Sequence, residues 1–144
     1  MPTYDFIIKE ENGIRQIKDK CRNRFVKLTP EEWVRQNMVE YLIREKNYPQ
    51  NLIVNEATVE LNGMKKRCDT VIYDKKGTPR VIVEYKAPTV KITQKVFDQI
   101  ANYNIKLKVE YLVVSNGIRH YCCRINDNGD GFMFEQEIPL CKFI

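Results

Sequence analysis

Two runs of β-branched and aromatic residues, Thr70–Tyr73 and Val81–Tyr85, stand on either side of Asp74-Lys75-Lys76-Gly77. This predicts a β-hairpin whose turn uses Gly77 at positive φ. Upstream, Thr29-Pro30-Glu31-Glu32 reads as a helix start, with Thr29 as N-cap, Pro30 at the first helical position and Glu32 completing a capping box. That helix is expected to run to about Lys46, with Val34, Met38, Tyr41, Leu42 and Glu45 along one side and Trp33 packed at its first turn. Asn47-Tyr48-Pro49 ends it, and a strand is expected over Leu52–Leu61, stopping at Asn62-Gly63. A second helix is predicted from about Thr93 to Lys106, with Ile92, Val96, Ile100, Tyr103 and Leu107 as its buried stripe. Val109–Ser115 is almost continuously apolar, as in a central strand covered on both faces. Asn116-Gly117 marks a turn into Ile118–Ile125, and a last strand is read at Phe132–Ile138. At the N-terminus, residues 3–9 and 14–18 alternate loosely around Glu11-Asn12-Gly13, which suggests another hairpin. The order of elements predicts an α/β fold, a mixed β-sheet flanked by helices.

The chemistry concentrates at the open end of the central hairpin. With the turn centred between Lys76 and Gly77, Asp69 and Glu84 fall directly opposite each other, their Cβ atoms about 4.5–5.5 Å apart. Lys86, two residues beyond Glu84, shares that face, whereas Thr70, Ile72, Val81 and Val83 form the other, core-facing one. Like charges placed opposite each other are destabilising, so the pair makes physical sense around a cation. Mg²⁺ takes oxygen ligands, typically one or two carboxylates with waters and substrate phosphate. A neighbouring lysine can orient or deprotonate an attacking water and stabilise charge on a phosphate. Other titratable residues have plainer explanations. Glu56 and Glu60 read as exposed strand positions, and His120 has no metal-ligating partner at suitable spacing and reads as structural. Gln36 and Glu40 share a face of the first helix; only Glu40 could offer a carboxylate, and surface charge explains it adequately.

Asp69 followed by Glu84-Tyr85-Lys86 resembles the signature of the PD-(D/E)XK nuclease superfamily, with Cys68-Asp69 in place of Pro-Asp. Within it, the chain is similar to the N-terminal nuclease domain of type I restriction enzyme R subunits in a short stand-alone form. The similarity is carried by Trp33-Val34-Arg35-Gln36, Val83-Glu84-Tyr85-Lys86-Ala87-Pro88, Gln99 with Tyr103, and Tyr111-Leu112-Val113-Val114-Ser115-Asn116-Gly117. It extends over residues 29–125, between an N-terminal hairpin extension (1–28) and a C-terminal strand region (126–144), and the whole is expected to be one domain. The resemblance implies a restriction-endonuclease-like fold and hydrolysis of DNA phosphodiester bonds with Mg²⁺, or Mn²⁺ as a substitute. It also implies metal ligation by Asp69, Glu84 and the backbone carbonyl of Tyr85, with Lys86 acting on the attacking water. Gln99 and Tyr103, one helical turn apart, correspond to a QxxxY motif that positions nucleic acid or the catalytic groups. A different class of function fits the same fold, a non-catalytic nucleic-acid-binding or partner-docking module. Against it, a binder has little physical reason to retain opposed carboxylates.

Bulk properties narrow the setting without deciding it. Hydrophobic residues make up 43% and charged residues 30%, ordinary values for a globular domain. No apolar run reaches the roughly 18–20 residues of a membrane span, and the polar N-terminus does not read as a signal peptide, so a cytoplasmic protein is expected. Five cysteines, without a CxxC pair and with a single histidine, argue against a zinc site and for reduced thiols; Cys122 and Cys123 should point to opposite sides of a strand. The net charge of +5 is compatible with a polyanionic partner, and basic residues cluster from Arg15 to Lys27 and at Lys65-Lys66-Arg67. There is no GxxxxGK[ST] loop or helicase signature, so translocating and methylating activities would come from other chains, or the protein works without them. Cleavage of both DNA strands would call for a homodimer or for other restriction-type subunits.

Overall fold

A computed structural model describes residues 4–61, 63–126 and 131–142, and of these the side chains of Leu61 and Tyr103 are not described. Its main body is a six-stranded sheet formed by β4 (Ile53–Leu61), β5 (Met64–Tyr73), β6 (Pro79–Tyr85), β7 (Tyr111–Ser115), β8 (His120–Ile125) and β9 (Phe132–Glu135), in that spatial order. Strands β6 and β7 run parallel and all other neighbours antiparallel. The parallel pair is joined through α2 (Gln94–Asn104) and a short 3₁₀ turn at Ile105–Leu107. This is the mixed α/β sheet that the sequence pattern predicts.

Helices cover both faces. Val34, Met38, Val39 and Leu42 of α1 (Pro30–Lys46) pack on Ile53, Ile72, Val81, Val83, Tyr85, Val113 and Cys122. On the opposite face, Phe97 and Ala101 of α2 pack on Val71, Ile82, Leu112, Val114 and Cys123. The two adjacent cysteines thus do face opposite ways, as strand geometry requires. Burial pushes the Cys21 and Cys68 thiols up to about 11 and those of Cys122 and Cys123 to about 12, which favours the protonated thiol near neutral pH.

The N-terminal residues make the expected hairpin and one further strand: β1 (Ile8–Glu11), β2 (Ile14–Asp19) and β3 (Arg24–Lys27), antiparallel and in sequence order. Asn12 and Gly13 both take positive φ, 53° and 78°, which suits a two-residue turn. The small sheet and the segment leading to it pack against α1, and Asp19 at the end of β2 also reaches Asn55 of the large sheet. Phe6 meets the Trp33 ring edge-on at 5.5 Å, Lys20 pairs with Glu40 at 2.6 Å, and Arg22 pairs with Glu32 at 2.9 Å. A helix covered on two sides has no single apolar stripe. Arg35, Gln36, Asn37 and Glu40 are all buried in α1, whereas Glu45, read on the same side as Val34 and Leu42, is exposed.

Helix ends follow the sequence signals with one exception. Thr29 Oγ1 accepts from the Glu32 N–H at 3.0 Å, and Asn47 closes α1 in the left-handed region at φ 62°. The Glu32 carboxylate instead accepts bonds from Arg22 and Gln36, so the capping box is only half made. In α2 the buried positions are Phe97, Ala101 and Asn104, with Val96 and Ile100 only partly covered. The stripe is rotated from the expected one because Phe97 fills an aromatic cluster with Tyr121, Phe132 and Phe134. Among the described residues, no helix is long and apolar enough to cross a membrane.

Candidate active site

The central hairpin has the expected register. Thr70↔Val83, Val71↔Ile82 and Ile72↔Val81 pair, so the next step outward places Asp69 against Glu84. Near the turn a bulge at Ile72/Tyr73 leaves a loop whose Asp74 accepts the N–H groups of Lys76 and Thr78, with Gly77 at φ 83°.

At the carboxylate end the ladder is deliberately broken. Ile53 and Ile72, paired across β4 and β5, pack with α1, whereas Ala57 and Cys68, paired in the same register, pack with α2. Both strands change face between these pairs, and the ladder skips the Glu56–Asp69 step. Glu56 absorbs the change in the left-handed region at φ 58°, which is costly for a side-chain-bearing residue. Glu56 is no ordinary exposed strand position: it accepts from Arg35 at 2.7 Å and Arg67 at 2.7 Å. Freed from the ladder, Asp69 turns one carboxylate oxygen to the Tyr85 N–H at 2.9 Å, which fixes it against the strand that bears Glu84.

Behind that N–H stands a buried polar chain. The Tyr85 hydroxyl donates to Thr70 Oγ1 at 2.9 Å, Thr70 donates to Asn55 Oδ1 at 2.7 Å, and Asn55 Nδ2 donates to Asp19 Oδ2 at 3.0 Å. Asp19 in turn accepts from the backbone of Cys21 and Arg22 and from the Arg22 guanidinium. Every polar side-chain group in this chain has a partner, which is what holds the end of β6 in one position.

Asp69, Glu84, Tyr85, Lys86 and Gln99 all line one open cleft of about 620 Å³, together with Glu31, Lys65, Lys66, Arg67, Ile100 and Asn104. Lys86 continues the strand direction, its N–H bonded to the Ser115 carbonyl at 2.9 Å. Its ammonium has no hydrogen-bond or ion-pair partner among the described residues. Gln99 is exposed on the α2 wall of the cleft. Tyr103 belongs to α2, but its side chain lies outside the described residues, so its expected role stands apart from these observations. Gln36 and Glu40 do not reach the cleft: Gln36 bonds Glu32 at 2.8 Å, and Glu40 holds Lys20 and Arg44. The acidic residue that α1 does bring there is Glu31, at its start. His120 is removed from the cleft, with Nδ1 2.7 Å from Ser115 Oγ and its ring stacked on Tyr41.

The electrostatics single out Glu84. Burial raises its carboxyl to about 7, the charge on Asp69 pushes the same way, and Lys66 opposes both. Lys66 places its ammonium 2.6 Å from Glu84 Oε1 and 2.8 Å from Asn104 Oδ1. Sequence reading saw Lys66 only as one member of a basic cluster. Strict alternation hides it, because the face change at Asp69 is what turns it toward Glu84.

The sequence pattern of the type I restriction enzyme R protein N terminus matches residues 30–139. The chain belongs to that family. The match begins with α1 and ends beyond β9, so β1–β3 lie outside it. No curated protein matches the chain. Family membership points to a nuclease-related role.

Proposed function

We propose that this family member is a divalent-metal-dependent endonuclease that hydrolyses phosphodiester bonds of DNA. The observation that carries the reading is the meeting of Asp69, Glu84 and Lys86 in one cleft, two hard oxygen donors opposed across a hairpin beside a lysine. Among the described residues there is no group of three or more His, Cys, Asp and Glu that could cage a metal unaided. Two carboxylates fit Mg²⁺ or Mn²⁺, which keep part of their coordination for water and substrate phosphate. Asp69 and Glu84 would hold the ion with the Tyr85 carbonyl, and the ion would supply Lewis acidity at the phosphate. Lys86 would position the attacking water and help activate it beside the ion, while Gln99 and Tyr103 would place the DNA strand along α2. Lys65 and Arg67, both exposed at the cleft, offer charge to the phosphate backbone without reading sequence. Nicking in each strand by one such site per chain would be served by a homodimer or by partner subunits, and cytoplasmic residence would suit that work.

One observation favours the alternative of a non-catalytic binding module: Glu84 already has a cationic partner in Lys66. Mg²⁺- and Mn²⁺-dependent nicking of supercoiled plasmid separates the two readings. Wild type is expected to nick, with Glu84→Ala and Lys86→Ala each slower by about 10²-fold or more. Absence of nicking and of divalent-ion binding by wild type would select the binding module.

A further inference from the structure

We propose that Lys66 is a built-in counter-cation that holds Glu84 until a divalent ion displaces it, and so sets the ion concentration at which the cleft loads. This deepens the nuclease reading and rests on it. The seat for the ammonium is constructed, not incidental. Asn104 is fully buried, and its Nδ2 donates to the Ile100 carbonyl at 2.8 Å, which leaves Oδ1 aimed at Lys66. Only 12% of the Lys66 side chain and 14% of Glu84 remain exposed. A pair this far out of water attracts more strongly than one on the surface, and its carboxylate is correspondingly harder to recruit.

A divalent ion between Asp69 and Glu84 needs the same carboxylate that Lys66 holds. Two cations cannot share that short contact without strong repulsion, so loading requires the ammonium to leave its seat. The lysine stem stays anchored on β5 in the wall of the cleft, between the exposed Lys65 and Arg67. Once displaced, its charge faces the space where a phosphate would lie. Lys66 thus passes from counter-ion of the empty site to ligand of the anionic substrate. Its apparent cost to metal affinity is the factor by which the seated form outweighs the open one.

The test is calorimetric titration of EDTA-treated protein with Mn²⁺ and Mg²⁺ alone, alongside melting temperatures with and without the ion. Lys66→Met is expected to bind about tenfold more tightly than wild type and to gain more in melting temperature on binding. Lys66→Arg should stay close to wild type, and Asn104→Ala, which removes half of the seat, should fall between wild type and Lys66→Met. Wild-type binding that Lys66→Met leaves equal or weaker, in a variant that still melts cooperatively, would overturn the proposal alone. If Lys66→Met does not fold, Asn104→Ala decides: unchanged affinity rejects the gate and tighter binding supports it. No divalent binding by any form would remove the metal-site reading and this inference with it.

Discussion

Glu84 is the residue at which fold and chemistry pull hardest against each other. Its proton is held to about 7, well above the ordinary carboxylate range, because burial and Asp69 outweigh the help from Lys66. A raised acid makes the folded state retain a proton that the unfolded chain has lost. The stabilising contribution of protonated Glu84 is complete below the unfolded value of 4.5 and is lost as pH rises through about 7. Denaturant melts in EDTA should therefore show Glu84→Gln gaining on wild type between pH 4.5 and pH 8, by up to about 3 kcal/mol. A pH-independent difference would contradict the assigned environment. Asp69, Glu84 and Lys86 were legible in the sequence because a hairpin register follows from local turn chemistry, and Gln99 through the family resemblance alone. Lys66 and Asn104 were not, since one depends on a break in strand alternation and the other on a polar residue buried in a helix.

At the level of elements, the most exacting contact lies where the β7–β8 turn meets α1. Gly117 sits at φ 87°, and a Cβ there would come within 3.2 Å of Val34 Cγ2. Its neighbour Asn116 ties the turn together by accepting from the Ile118 and Arg119 N–H groups and donating to the Val90 carbonyl. Gly117→Ala combines an unfavourable backbone with a crowded side chain, and a loss of about 1–3 kcal/mol is expected in equilibrium unfolding. Asn-Gly announced this turn in the sequence, and Thr29-Pro30 announced α1 just as clearly, because caps and turns are local. Harder to see was which side of each helix goes inside. The α1 pattern is blurred by its second cover of β1–β3, and in α2 the aromatic cluster around Phe97 overrides a nominally better aliphatic stripe.

For the molecule as a whole, the N-terminal sheet is tied to the cleft though it lies outside the family match. Asp19 ends the hydrogen-bonded chain that begins at the Tyr85 hydroxyl, and it is almost completely buried. Asp19→Ala would leave Arg22 and Asn55 short of their shared acceptor, at a cost of about 3 kcal/mol, read from the shift in the denaturant midpoint. No sequence pattern joins residues 19, 55, 70 and 85; only the assembled sheets do. The short connection between β5 and β6 has a kinetic corollary. Closing a small loop costs little entropy, whereas the parallel β6–β7 ladder must wait for the whole crossover through α2. Core substitutions in the hairpin, such as Val71→Ala, should chiefly slow refolding, and those in β7, such as Val113→Ala, should chiefly speed unfolding, in stopped-flow chevrons. The two carboxylates would then be brought face to face early, while Lys86 and the α2 wall take their places only when the last long loop closes.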